Sequence, residues 1–301
     1  MDEAVRVLSR GEPVAVPTET VYGLAADATN GDALARIFEA KGRPRFNPLI
    51  VHVASLAMAE SIGSFDPLSR ALAAKFWPGP LTLVVPVREG ALHPLALAGL
   101  STVGLRMPQG YMLELISALG RPLAAPSANP SGRLSPTTAE AAYEGLKGRI
   151  ELVIDGGPVS VGVESTILKA EKGAIRLLRP GGLSAEEIEG ATGFPIERAA
   201  PNGAIEAPGM MLSHYAPNAA MRLDASEKHA GETLLGFGGT PGAALDLSPT
   251  GDLREAARNL FSYLKRLDAT GAATIAVASI PRTGLGEAIN DRLVRAAAPR
   301  A

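Results

Sequence analysis

Short apolar segments, separated by turns rich in glycine and proline, recur along this chain and alternate with segments of helical periodicity. Residues 31–40, for example, place Leu34, Ile37 and Phe38 on one face of a helix, and Gly42 follows as a helix breaker. Apolar runs of strand length lie at residues 13–17, 49–53, 81–87, 103–107, 122–125, 152–154 and 166–168. Short strands that alternate with helices predict an α/β fold built on a mixed sheet.

The length of 301 residues is typical of two domains. Residues 197–217 are rich in proline, glycine and small polar residues and carry no sustained apolar period, which predicts a linker. Strand and helix patterns then follow at residues 233–237, 253–267, 274–280 and 287–298. We therefore predict a first domain, a linker and a small α/β domain, at residues 1–196, 197–217 and 218–301.

The composition excludes several classes of site. The chain has no cysteine, so it cannot form disulfides, thiolate zinc sites, iron–sulfur clusters or a cysteine nucleophile. Its four histidines show no metal-ligand spacing. The formal net charge of −2 gives no bulk attraction to nucleic acid or to an anionic membrane. Because no targeting segment or long apolar run stands out, we expect a cytoplasmic protein with no membrane partner.

Lys41, Arg43 and Arg45 concentrate positive charge in a loop between a helix and an apolar strand. Lysine supplies a mobile point charge and arginine a planar fork of donors, a combination that suits a polyphosphate. The alternative is that the three cations are solvated in an exposed loop. The phosphate-binding pattern G-x-x-x-x-G-K-[ST] is absent from the sequence, so a nucleotide would have to be held in another way.

Ordered motifs along almost the whole chain resemble those of one family. The first half carries PTETVYGL at residues 17–24, KGRP at 41–44, NPLIVH at 47–52, FWPGP at 76–80 and PSAN at 126–129. The remainder carries VEST at 163–166, RPG at 179–181, PGM at 208–210, HYAP at 214–217 and GLG at 284–286. Together they resemble the L-threonylcarbamoyladenylate synthases, the YrdC-like family, in the long form that adds a linker and a C-terminal domain.

The resemblance implies a YrdC-like twisted mixed sheet with flanking helices, followed by a smaller Rossmann-like α/β domain. It implies a nucleotidyltransferase that makes threonylcarbamoyl-AMP and pyrophosphate from L-threonine, bicarbonate and ATP. Mg²⁺ would be carried by ATP rather than by protein ligands. A downstream tRNA threonylcarbamoyl transferase would use the product for threonylcarbamoyladenosine formation, and this chain itself would bind tRNA weakly or not at all.

The family pattern also assigns site residues. Catalysis falls to Lys41 and Arg43, and L-threonine would lie near Thr20, His52, Arg106, the Ala125 backbone and Ser165. ATP would be bound by Lys41, Arg43, Asn47, Thr102, Ser127, Ser135, Arg179 and Tyr215. None of these is an obvious covalent nucleophile, so catalysis is expected to rest on positioning and on charge neutralisation.

Each assignment has a structural alternative. Thr20 could cap a turn, His52 could end a strand, and Ser165 could be an ordinary strand hydroxyl. Arg106 could form a surface ion pair, although an arginine in an apolar strand needs a partner and a substrate carboxylate would supply one. Tyr215 either reaches back to the nucleotide, with the linker as a lid, or packs on the second domain.

Two other functions fit parts of the sequence. YrdC-like domains also suggest a basic concave face for double-stranded RNA, against which the net charge of −2 argues. A carbamoyl-transferring relative that uses carbamoyl phosphate would share the fold. Such relatives carry zinc-finger segments, which a chain without cysteine lacks.

Overall fold

The computed structural model describes residues 1–171, 173–199, 206–207 and 214–299. Its helices are α1 (Asp2–Ser9), α2 (Gly31–Lys41), α3 (Leu56–Ile62), α4 (Pro67–Phe76), α5 (Pro94–Leu97), α6 (Tyr111–Leu119), α7 (Ala139–Leu146), α8 (Ala185–Thr192), α9 (Leu253–Asp268) and α10 (Leu285–Ala297). Its strands are β1 (Val14–Val16), β2 (Gly23–Asp27), β3 (Ile50–His52), β4 (Leu81–Pro86), β5 (Thr102–Arg106), β6 (Leu123–Ala124), β7 (Leu152–Val153), β8 (Thr166–Glu171), β9 (Ala174–Arg179), β10 (Ile196–Arg198), β11 (Ala220–Arg222), β12 (Glu232–Gly236), β13 (Leu245–Asp246) and β14 (Thr274–Val277).

Two sheets organise the described residues. The larger has ten strands in the order β10-β9-β8-β4-β5-β3-β6-β2-β1-β7. It is mixed, because β3–β5, β4–β8, β9–β10 and β1–β7 pair in parallel and the remaining neighbours pair antiparallel. The smaller sheet is wholly parallel, in the order β11-β14-β12-β13, and carries α9 and α10. The predicted class, a mixed α/β sheet with a smaller α/β unit, is confirmed.

The segment predicted as a linker begins inside a strand. β10 continues the large sheet through Arg198, as a parallel partner of β9. The side chains of Glu197 and Arg198 are exposed and polar, so they give no apolar signal in the sequence. Residues 200–205 and 208–213 of the predicted linker, and with them the predicted lid, lie outside the described residues.

The two domains share an apolar interface. The core around α9 and α10 includes Val21 and Val163, which belong to loops of the large-sheet domain. Tyr215 joins the same core, with its ring centroid 5.6 Å from that of Phe261. Packing on the second domain, one of the two alternatives for Tyr215, is therefore observed. None of the described helices is both long enough and apolar enough to cross a membrane.

The end of α2 directs the loop that carries the candidate phosphate-binding cations. The helix is capped at its start by Asn30, whose side chain accepts from the backbone N–H of Asp32 and Ala33. It ends at Gly42, where φ is +59°, a left-handed conformation that glycine adopts without strain. The chain turns after Lys41, and Arg43 bonds to the backbone oxygens of Asn47 and Pro48, which precede β3.

Candidate active site

Loops and strand ends of the large sheet enclose a pocket. The pocket is lined by every residue predicted to bind threonine, namely Thr20, His52, Arg106, Ala125 and Ser165. It is also lined by four of those predicted to bind ATP, namely Arg43, Ser127, Arg179 and Tyr215. The structure thus brings the predicted threonine set and half of the predicted ATP set together in one cavity.

Arg106 forms a buried ion pair rather than a surface pair. Its Nη2 lies 2.7 Å from Glu19 Oε1, and the side chains of Arg106 and Glu19 are 5% and 6% exposed. Its Nη1 donates to Thr20 Oγ1 at 2.9 Å and its Nε to Gly79 O at 3.2 Å. The carboxylate that the arginine requires is therefore supplied by the chain itself, and a substrate carboxylate would be a second partner.

The hydroxyl of Thr20 presents an acceptor to the pocket. Thr18 Oγ1 donates to Val21 O at 2.7 Å and lies 2.8 Å from Thr20 Oγ1, a contact in which either hydroxyl can be the donor. Thr20 Oγ1 also accepts from Arg106. Its second lone pair can accept from a ligand that donates, as an ammonium or hydroxyl group does.

His52 is buried, and its imidazole is neutral at physiological pH. Burial, reinforced by the nearby Arg106 charge, lowers the pKa of His52 to about 3. Its Nδ1 has no hydrogen-bond partner among the described residues. A neutral ring with an unused nitrogen can orient a polar ligand, but a group with so low a pKa is a weak base.

Lys41 and Arg43 are buried, contrary to the solvated-loop alternative, which holds for the exposed Arg45. Arg43 lines the pocket and donates to Asn47 O at 3.4 Å and to Pro48 O at 2.9 Å. Lys41 Nζ lies behind the PSAN turn and donates to the backbone oxygens of Ser127 and Asn129, each at 2.5 Å. Burial, with the Arg43 charge, lowers the pKa of Lys41 well below its usual range.

Besides Lys41, three predicted ATP ligands lie outside the pocket lining. Asn47 and Ser135 are buried, and Ser135 Oγ donates to Glu164, which does line the pocket. Thr102 begins β5, four residues from Arg106, which is roughly 13 Å along a strand. Its assignment to ATP stays a prediction, since it requires a nucleotide that extends along β5 from the pocket.

Comparison with known proteins identifies the family. Residues 6–181 match the family model of the Sua5, YciO and YrdC proteins, described as telomere recombination. Residues 183–298 match the model described as threonylcarbamoyl-AMP synthase, C-terminal domain. The chain belongs to the Sua5/YciO/YrdC family. The resemblance that the motifs carry is thereby confirmed, including its long form.

Individual members of the Sua5/YciO/YrdC family align with nearly the whole chain. The threonylcarbamoyl-AMP synthase of Bacillus subtilis is 40% identical, over 99% of this chain and 93% of that protein. The protein of the same name from Pyrococcus abyssi is 41% identical, over 99% and 94%. The crystal structure of P. abyssi Sua5 complexed with L-threonine has a TM-score of 0.89 at 40% identity, and covers 98% of this chain and 93% of that one.

Six residues line the pocket of this family member without having been predicted to bind a ligand. They are Val21, Pro48, Ile50, Pro126, Glu164 and His214. All six lie within the motifs quoted above, which therefore mark these segments. The spacing of the motifs does not show which of their residues face the pocket and which only form turns. Glu19 was missed as well, because its partner Arg106 lies 87 positions away.

His214 and Glu164 complete the charge distribution of the pocket. Burial lowers the pKa of His214 to about 3, although the Glu164 carboxylate opposes this shift. Burial alone would raise the pKa of Glu164, but Arg292, Arg179 and Ser135 together lower it below its ordinary value. At neutral pH the pocket therefore contains neutral imidazoles, an ionised carboxylate and several arginines.

Proposed function

We propose that the chain is an L-threonylcarbamoyl-AMP synthase, a transferase that makes threonylcarbamoyl-AMP and pyrophosphate from L-threonine, bicarbonate and ATP. The observation that carries this proposal is the joining of two chemically different half-sites in one buried pocket. One half offers a neutral imidazole, hydroxyls and an internally paired arginine. The other offers the cations that a triphosphate needs. The names of the family members aligned over nearly the whole chain support the same activity.

Threonine would occupy the half formed by Thr20, His52 and Arg106. Thr20 Oγ1 can accept from the ammonium or the side-chain hydroxyl, and Arg106 can receive the carboxylate beside Glu19. The low pKa of His52 assigns it to orientation rather than to proton abstraction. The crystal structure of P. abyssi Sua5 is a complex with L-threonine, which supports threonine as the amino acid of this site.

ATP would occupy the half that contains Arg43, Ser127 and Arg179. The bonds described for Arg43 go to backbone oxygens, so this cation is available to phosphate in a way that the ion-paired Arg106 is not. Arg179 Nη2 donates to Ser165 O at 2.8 Å, at the junction of the two halves. Charges fixed in this way neutralise the pyrophosphate as it departs, without reorganisation of the protein.

The reaction needs no bond to the protein. The threonine ammonium first loses a proton to solvent, and the free amine attacks the carbon of bicarbonate. Water leaves, and a carbamate forms on the nitrogen. A carbamate oxygen then attacks the α-phosphorus of ATP, the bond between that phosphorus and the bridging oxygen to the β-phosphorus breaks, and pyrophosphate leaves with the electron pair. The pocket contributes by holding the two substrates in contact and by excluding water from the mixed anhydride.

Mg²⁺ is proposed as a companion of ATP. No group of three or more histidine, aspartate or glutamate side chains suited to a metal ion occurs among the described residues. The pocket carboxylate, Glu164, already accepts from Ser135 and Arg292. This donor set fits a metal that is held mainly by the phosphates, where it would neutralise part of their charge. A downstream tRNA threonylcarbamoyl transferase would receive the product in the cytoplasm.

Pyrophosphate release tests the proposal directly. The purified chain is given ATP and Mg²⁺ with L-threonine and bicarbonate supplied together or omitted in turn. We expect release that requires both, and threonylcarbamoyl-AMP by mass spectrometry in equal amount. Release independent of threonine and bicarbonate would refute the synthase. Turnover of carbamoyl phosphate in place of these substrates would instead support the carbamoyl-transferring alternative.

A further inference from the structure

Arg292 lies at the contact between the two domains and has the largest of the fully buried side chains described. It belongs to α10 of the second domain, and its Nε donates to Glu164 Oε2 at 2.7 Å. Glu164 precedes β8 of the large sheet and lines the pocket. Burial of a guanidinium is costly unless its partners are well placed, so this ion pair is a specific feature of the interface.

The Glu164 carboxylate connects Arg292 to a further residue near the pocket. Its Oε1 accepts from Ser135 Oγ, while its Oε2 accepts from Arg292. Because both oxygens are engaged, the carboxylate serves as a bridge between the two donors rather than as a general base. Arg292 Nη1 is in turn bonded to Asp291, its neighbour on α10, at 2.6 Å.

Arg292 also contacts Tyr215, which lines the same pocket. The guanidinium carbon lies 5.1 Å from the centroid of the tyrosine ring. Tyr215 has φ of +62°, a left-handed conformation that is unfavourable for a bulky residue and persists only where its surroundings fix it. The ring centroids of His214 and Phe261 lie 4.1 and 5.6 Å from that of Tyr215, and the Arg292 guanidinium contacts the same tyrosine ring.

We propose that Arg292 is a positioning residue through which the second domain completes the nucleotide side of the pocket. It fixes Glu164, and through it Ser135, and it holds the ring of Tyr215 in its strained position. The inference rests on the proposed function for the assignment of this side to ATP. It explains why a fully buried arginine from one domain is bonded to a pocket carboxylate of the other.

A pH-dependent loss of ATP binding would distinguish a positioning role of Arg292 from a contribution to stability alone. The charged and titratable groups that face Glu164 are Arg292 and Asp291 from α10, Arg179 at the end of β9, and His214 and Tyr215 before the second domain. Without Arg292, burial would raise the pKa of Glu164 against a weaker opposing charge. Protonation of Glu164 at low pH would then weaken its remaining bond to Ser135, and deprotonation as the pH rises would restore that bond.

The test compares Arg292→Met with Arg295→Met, which removes an arginine three residues along α10 that is paired with the same Asp291. Binding of a non-hydrolysable ATP analogue and of threonine is measured by calorimetry, with pyrophosphate release across pH. We expect Arg292→Met to weaken analogue binding and kcat/KM for ATP by ~10-fold to ~100-fold, with the loss shrinking as pH rises. Threonine binding should change by less than about two-fold, and Arg295→Met should resemble the unaltered chain.

Arg292→Lys keeps the inference falsifiable if Arg292→Met does not fold, and a double variant tests the titrating group if it does. Arg292→Lys retains the charge but loses the fork of donors and the flat face over the ring, so ATP binding should weaken while the pH profile stays unchanged. In the double variant Glu164→Gln/Arg292→Met, the pH dependence of the loss should disappear because no carboxyl group remains to titrate.

The inference is overturned if Arg292→Lys or a folded Arg292→Met binds the ATP analogue as the unaltered chain does. It is overturned equally if threonine and ATP binding fall together, in proportion to melting temperature and independently of pH. Absence of threonine-dependent pyrophosphate release from the unaltered chain would refute the proposed function instead. Analogue binding would still decide the role of Arg292 in that case.

Discussion

His52 and Arg106 are directly opposite each other in the parallel ladder of β3 and β5. The register sets an imidazole beside a guanidinium that Glu19 already neutralises. Burial, with the arginine charge nearby, lowers the pKa of the imidazole to about 3. The threonine side of the pocket is thereby kept nearly free of net charge, which suits a zwitterionic ligand.

The low pKa of His52 predicts a loss of stability in mild acid. The folded chain holds the ring neutral, whereas the unfolded chain binds a proton below about pH 6.5, so stability is full above that pH and falls as pH drops towards 3. Between pH 7 and pH 5 this histidine should reduce the free energy of unfolding by about 2 kcal/mol. Urea unfolding at the two pH values measures it.

His52→Gln should lessen this pH dependence by the same amount. His229→Gln is the control, because this exposed ring is solvated in both the folded and the unfolded chain. An identical pH dependence in His52→Gln and in the unaltered chain would contradict a neutral, buried His52.

The lowered pKa of Lys41 predicts that the chain takes up a proton when ATP binds. Burial lowers the pKa of its amine well below the usual range, and a bound triphosphate would raise it again. At about pH 8, above the second ionisation of a phosphate near pH 6, the nucleotide itself should contribute little. Calorimetric heats in buffers of different ionisation enthalpy should show uptake, and affinity should increase as pH falls. Lys41→Met should remove the uptake, and unchanged uptake in that variant would assign the proton to another group.

The sequence predicts the class of the fold because short apolar strands and helical stripes are local patterns. It does not predict β2, which consists of Gly23–Asp27, because this strand is buried along its whole length and neither alternates nor contains β-branched residues. It misses β10 for the opposite reason, since two of its three residues are exposed and charged.

The motifs predict which segments form the site, but not how their charges are paired. Glu19 with Arg106, and Glu164 with Arg292, are ion pairs between segments 87 and 128 positions apart, and no sequence period links them. A charge buried alone is costly, so each of these buried charges needs a partner. The sequence does not show which charges are buried, and therefore it does not show which of them must pair.

Arg43 is predicted to matter more for ATP than for stability. Arg43→Ala should lower kcat/KM for ATP by ~10-fold to ~100-fold, since a charge-assisted bond to phosphate contributes about 1.5–3 kcal/mol. A moderate loss of stability, about 1–2 kcal/mol, should accompany it because the side chain also binds Asn47 O and Pro48 O. Steady-state kinetics and urea unfolding separate the effects.

Arg45→Ala is the matched control for Arg43, because it removes an exposed arginine from the same loop. It should leave both quantities nearly unchanged, and Arg43→Lys should recover part of the activity. Equal kinetic losses in Arg43→Ala and Arg45→Ala would indicate a diffuse surface charge instead of a defined phosphate contact.

Thr20→Val tests the acceptor that the threonine side of the pocket presents. The substitution preserves shape but removes the oxygen that accepts from Arg106 Nη1 and has one lone pair left for a ligand. Loss of a hydrogen bond of about 1.5 kcal/mol should weaken threonine binding ~10-fold in calorimetry, while the ATP analogue binds within about two-fold of its normal affinity. Thr192→Val, on α8 away from the pocket, should bind both ligands normally. A threonine analogue that lacks the side-chain hydroxyl but keeps the ammonium separates the two groups that could donate to Thr20. If that analogue loses affinity in the unaltered chain but not in Thr20→Val, the hydroxyl is the donor; equal losses in both assign the bond to the ammonium. Unchanged threonine affinity in Thr20→Val would remove Thr20 from the ligand contacts and leave it the role of a partner to Arg106.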